Sequence, residues 1–168
     1  LLTFPPANVD QSTPLLLALH GRGGNAGDFA GRWMPAVAAG CFLALPQSSQ
    51  VLGMGTFCWD YRELAEREIA LAYARLQSSC PFDSMGAILA GYSQGGALAV
   101  SLALPGTVVP CRRFLSVAPS FPDPLALLPL IARGAEQSIR GRLLTGEHDY
   151  GRTRTEAVHT EMLRQGLM

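Results

Sequence analysis

Apolar segments of two kinds take turns along this chain, and that alternation limits the fold more than any single motif does. PLLLALHG (residues 14–21) is a short continuous apolar run ending at glycine, the pattern of a strand buried on both faces. CFLALPQS (41–48), MGAILAGYS (85–93), RRFLSVAPS (112–120) and RGRLLTGEHD (140–149) read the same way. Between them lie stretches with helical spacing. NAGDFAGRWMPAVAAG (25–40) sets Phe29, Trp33 and Val37 at four-residue steps, with Pro35 as a defect. DYRELAEREIALAYARLQSS (60–79) predicts a helix with Leu64, Ile69, Ala72 and Leu76 on one stripe. QGGALAVSLAL (94–104), PLALLPLIARG (124–134) and RTRTEAVHTEMLRQG (152–166) complete the set. Strand and helix alternating throughout predict one α/β domain, a mainly parallel sheet with helices on both faces.

The bulk composition removes several classes of function. At 168 residues, 48% hydrophobic and 15% charged, the chain can bury a substantial core. Thirteen basic residues, all arginine, balance thirteen acidic ones. No one-signed field exists to select nucleic acid or an anionic membrane as partner. No apolar stretch approaches the roughly 20 residues that span a bilayer. Cys41, Cys58, Cys80 and Cys111 form no CxxC pair and no zinc spacing, so free thiols in a reducing, cytoplasmic compartment are expected. The opening LLTFPPANVD lacks both a Met and a charged leader segment, and reads as a start with something trimmed off.

Within AILAGYSQGGALAV (87–100), Gly91-Tyr92-Ser93-Gln94-Gly95 fits G-x-S-x-G. The bare pattern is weak, but here a buried strand enters it and a helix leaves at once. That is the setting of a nucleophile elbow, in which a sharp turn lifts the serine above the strand end. The helix N-terminus then points free N–H groups at the reacting centre. Ser93 is therefore the candidate nucleophile.

A hydrolytic serine needs two N–H groups aimed at the developing oxyanion. The Gln94 amide comes with the elbow. The glycine-rich loop of LALHGRGGNAGDF (17–29) supplies the second candidate, the backbone N–H of Arg22. Phosphate binding is a poor alternative for that loop, because GRGGNAG lacks the P-loop lysine and fails G-x-G-x-x-G.

LHGRGG followed by GYSQGG resembles the α/β-hydrolase fold, in particular the phospholipase/carboxylesterase group of serine esterases and thioesterases. The resemblance runs over essentially the whole chain and implies a Ser-His-Asp triad that works through an acyl-enzyme, with no metal or cofactor. It gives His20 the role of ordering its loop. It also implies that the acid lies in a Gly-x-x-Asp turn, matching Gly146-Glu147-His148-Asp149, so Asp149 is the expected acid and Glu147 the fallback.

The histidine is harder to place. His148 adjoins the acid too closely to bridge Asp149 and Ser93. His159 lies six residues inside the closing helix, roughly 9 Å below its start. By the resemblance, the catalytic His sits on a loop after one more strand, beyond Met168. The expectation is an α/β-hydrolase fold lacking its last strand, His loop and helix, in a protein longer by roughly 25 to 45 residues.

QSSQVLGMGTFCWDYRE (47–63) follows a strand end and should overhang the edge that carries Ser93. Met54, Phe57 and Trp59 could line an acyl or alcohol pocket there, or simply pack as a lid over the core. Phe121 in SFPDP (120–124) is a candidate on similar grounds. With no insertion long enough for a large lid, small esters or thioesters are the expected substrates. The alternative is a hydrolase-fold protein that has lost catalysis and binds a ligand or partner.

Overall fold

The computed structural model describes residues 1–168. Along the chain come β1 (Leu2–Phe4), β2 (Pro14–Leu19), α1 (Ala26–Ala38), β3 (Phe42–Leu45), β4 (Gln50–Gly53), β5 (Thr56–Cys58) and α2 (Arg62–Ser79). There follow β6 (Asp83–Tyr92), α3 (Gln94–Ala103), β7 (Arg113–Val117), α4 (Leu128–Glu136), β8 (Arg140–Leu144) and α5 (Arg152–Arg164). Six strands form one sheet in the order β1-β3-β2-β6-β7-β8, and β4 and β5 form a separate hairpin. Every neighbouring pair in the large sheet is parallel except β1 with β3. The expected mainly parallel sheet with helices on both faces is what forms.

Strand residues alternate between two cores. Leu15, Leu17 and Leu19 of β2 pack on one face with α2, α3, α4 and α5; Leu16 and Ala18 pack on the other with α1. Both faces are covered there, which is why β2 reads as an unbroken apolar run. The first face gathers 29 buried residues and the second only 8. Toward β7 and β8 the second face stays open. A groove of about 840 Å³ runs from Trp33 and Ala36 of α1 to Ile88, Leu115 and Leu144, with Arg113, Arg140 and Arg142 along it.

One local expectation changes, and two elements are added. In α2 the buried stripe is Ala65, Ile69, Ala72, Tyr73 and Leu76, while Leu64 is exposed. At about 100° per residue, Leu64 sits about 140° around the helix from Ile69, whereas Ala65 sits about 40° from it. The 47–63 stretch carries the β4–β5 hairpin, which turns through Gly55 at a φ of +68°. β1 was not anticipated, because three residues before Pro5-Pro6 are too short to show a period.

No helix is long and apolar enough to cross a membrane. All four cysteines are unpaired.

The site is positioned by the order of the strands. From β2 the chain crosses over to β3 on one side; from β6 it continues to β7 on the other. The crevice at the carboxyl ends of β2 and β6 is therefore a topological switch point, where open α/β sheets bind ligands.

Candidate active site

β6 ends at Tyr92 and α3 begins at Gln94, leaving Ser93 alone to turn the chain. Its φ is +53° and its ψ is −117°, left-handed backbone that costs an L-residue on the order of 1–3 kcal/mol. The surroundings hold it there. Its N–H donates to the Val117 carbonyl at 3.0 Å, and its own carbonyl accepts from the N–H groups of Ala97 and Ser120, each at 3.0 Å. Gly91 and Gly95 make the corner possible. A Cβ on Gly91 would run into the Gly95 carbonyl, and one on Gly95 into the carbonyls of Leu19 and His20. The second clash shows how tightly the start of α3 sits on the end of β2.

The glycine-rich loop leaves β2 beside this corner. The Gly23 N–H donates to the Phe57 carbonyl at 2.8 Å, and the Phe57 N–H donates to the Gly24 carbonyl at 3.0 Å, so the loop is pinned to β5. Asn25 caps α1 by accepting from the Asp28 N–H at 2.9 Å. The Arg22 N–H has no backbone partner, and the Gln94 N–H, first in α3, has no intrahelical one. Both residues line the cleft that holds Ser93.

That cleft encloses about 880 Å³. Its lining is polar at Arg22, Asp60, Arg62 and Glu66 and apolar at Leu98, Phe121, Leu127 and Leu130. Of the aromatic candidates, Trp59 and Phe121 line it. Trp59 is also structural, because its indole N–H donates to the His20 carbonyl at 2.9 Å. Met54 lies at the hairpin tip, wholly exposed, and Phe57 spends its backbone on the glycine loop; neither lines a cavity with Ser93.

A second cavity of about 220 Å³ is lined by both Ser93 and Asp149. The Asp149 N–H closes the Gly-x-x-Asp turn on the Gly146 carbonyl at 3.1 Å. One Asp149 carboxylate oxygen accepts from the Gly151 N–H at 2.7 Å, which fixes the side chain at the start of α5. Glu147 is exposed and lines neither cavity.

None of the three imidazoles lines either cavity. His20 is 1% exposed, its ring 4.7 Å from that of Trp59. Its Nε2 accepts from the Ser48 N–H at 3.4 Å, and its Nδ1 lies 2.9 Å from the Gly21 carbonyl, which assigns the proton to Nδ1. Burial pushes its pKa below 6.5, against opposing contributions from that carbonyl and from Glu68. His148 is exposed, and His159 faces the open groove beneath the sheet. No group of three or more His, Cys, Asp or Glu side chains is placed to hold a metal ion.

Sequence reasoning missed Asp60. Its carboxylate accepts from Arg22 Nε at 3.2 Å, Arg22 Nη2 at 3.0 Å and Gln94 Nε2 at 2.7 Å. The only signal for it was its place next to Trp59 in the overhanging segment.

No family model matches the sequence. No curated protein matches it at the level of sequence either. Solved structures do match in shape. An uncharacterized protein from Bacillus cereus superposes with a TM-score of 0.83 at 23% identity, over 95% of this chain and 52% of that one. The chain thus spans about half the length of that protein. An S-formylglutathione hydrolase from Staphylococcus aureus gives 0.73 at 13% identity, over 96% of this chain and 72% of that one. Esterase B from Lactobacillus rhamnosis gives 0.72 at 13% identity, over 99% and 67%. Together with the strand order and the strand–serine–helix corner, these likenesses show that the chain has the α/β-hydrolase fold on which such esterases are built.

Proposed function

We propose that this protein is a serine hydrolase that cleaves small carboxylic esters or thioesters. The observation that carries the reading is Ser93 itself, held at a left-handed φ between strand and helix and sharing a cavity with Asp149. Backbone strain of that kind persists where a side chain must be presented in one direction. In the proposed reaction Ser93 Oγ attacks the acyl carbon while an imidazole takes its proton, and the Arg22 and Gln94 amides receive the oxyanion. The imidazole then returns the proton to the leaving alcohol or thiol. Water, activated by the same imidazole, releases the acid from the acyl-enzyme.

Asp149 orients the imidazole, which comes from outside residues 1–168 and enters the cavity between Ser93 and Asp149. The amphipathic cleft suits an acyl group lying against Leu98, Phe121 and Leu127, with the leaving group toward Arg22 and Asp60. The Gly-Tyr-Ser-Gln-Gly-Gly run at the corner supports the resemblance to the phospholipase/carboxylesterase group, and the unpaired thiols support a cytoplasmic setting.

The test is hydrolysis of p-nitrophenyl acetate and butyrate by the full-length gene product, together with labelling by a fluorophosphonate probe. Ser93→Ala is expected to abolish the label and to lower kcat by a factor on the order of 10⁴ or more. A rate that survives the substitution would refute the nucleophile. A native protein that never takes the label would instead be a ligand-binding relative that has lost catalysis. The intact mass of the gene product tests the origin of the imidazole, since a mass of 17.9 kDa would leave only His20, His148 and His159.

A further inference from the structure

The two amides assigned to the oxyanion belong to segments that are not continuous. Gln94 is fixed by the elbow, whereas Arg22 sits in Gly21-Arg22-Gly23-Gly24, where three glycines leave the backbone the most freedom. Oxyanion donors act only when each lies within about 2.7–3.1 Å of one developing charge, so the distance between these segments has to be held. The Phe57 bridge holds the far side of the loop, at Gly23 and Gly24. Something must hold Arg22 to Gln94.

We infer that Asp60 is the positioning residue that ties the two halves of the oxyanion site together, a role that rests on the reading of Ser93 as nucleophile. One carboxylate grips the side chains of both residues whose amides are used: Arg22 through a two-point fork at 3.2 and 3.0 Å, Gln94 through its amide nitrogen at 2.7 Å. The other end of the Gln94 side chain is taken by the adjacent residue, since its Oε1 accepts from the Trp59 N–H at 2.9 Å. Trp59 is in turn anchored on the His20 carbonyl at the end of β2. The Trp59-Asp60 pair is thus a strut between β2, the glycine loop and α3. The fork also fixes the Arg22 side chain in plane, which a lysine could not reproduce.

Asp60 is 40% exposed at its side chain, so the tie is not there for burial energy. It stays ionised throughout the range in which esters are assayed, because the Arg22 and Gln94 hydrogen bonds hold its carboxyl at about 2.

The experiment compares Asp60→Asn with the wild-type full-length protein on p-nitrophenyl butyrate. A slackened strut is expected to lower kcat by about 10- to 100-fold and to change KM by less than about threefold. A boronic acid, whose Ser93 adduct is tetrahedral, should lose affinity by the same factor as kcat/KM. Arg22→Gln should reproduce the loss, and the double variant should be no more than about twofold worse than either single one, because both cut one tie. If Asp60→Asn melts below the assay temperature, Arg22→Gln alone carries the comparison. A kcat within twofold of wild type, or a loss confined to KM, overturns the strut while leaving Ser93 intact. Absence of fluorophosphonate labelling at Ser93 in the wild type overturns the reading beneath it instead.

Discussion

The two faces of the central sheet are made from the same strands and yet are clothed very differently. On one, four helices close over β2, β6 and β7, and Leu89, Leu102 and Ile131 lose all contact with solvent. On the other, α1 alone covers β2 and β3 with Phe29 and Trp33, and the sheet beyond it turns outward through Leu115, Arg113, Arg140 and Arg142. The comparison teaches that strand composition does not decide burial by itself. Leu115 and Phe114 are neighbours in β7, but only Phe114 lies in the helix-covered core. The candidate site stands at the rim where both faces end, and draws its rigidity from the crowded one.

Truncating the crowded face should have the largest effect. Leu102→Ala in α3 removes a fully buried side chain and is expected to cost about 2–5 kcal/mol in urea unfolding. A loss below about 1 kcal/mol would mean that this face is not the principal core.

A smaller and pH-dependent effect is expected at the rim, from His20. Burial holds its folded-state pKa below 6.5, so between those two values the unfolded chain binds a proton that the folded chain refuses. Stability therefore rises with pH across that window and is lost on acidification below about 6.5. Urea midpoints measured from about pH 5 to 7 should show this slope in the wild type and a shallower one in His20→Gln.

The smallest effect belongs to the open face. Leu144 is 50% exposed beside the groove, so Leu144→Ala should change stability by no more than about 0.5 kcal/mol. A loss comparable to that of Leu102→Ala would show that the groove is covered in solution, and the contrast between the faces would fall.

Much of this architecture was legible in the residues. Continuous apolar runs against amphipathic stretches are a coarse signal, and they marked the buried strands and α1, α2, α3 and α5 to within a few residues. The strand–Gly-x-Ser-x-Gly–helix corner was legible too, since few structures need glycine on both sides of such a turn. Finer placement failed where the signal was short or lay in tertiary contacts. β1 has three residues, the β4–β5 hairpin hides among Gly and Ser, and Leu64 was placed on the wrong side of α2 by a one-residue slip in phase. Met54 and Phe57 looked like pocket residues because they are apolar, but the hairpin carries Met54 to its exposed tip. Asp60 had nothing to mark it but its place next to Trp59. In a DYRE run it looks like any solvated acid, and only the folded chain brings it to Arg22 and Gln94, 38 and 34 residues away in sequence.

The left-handed corner at residue 93 sets stability and chemistry against each other at a single position. Glycine is the residue most at ease with a φ of +53°, and it carries no hydroxyl. On the proposed reading of Ser93 as nucleophile, the corner gives up backbone ease for a hydroxyl that glycine would not provide.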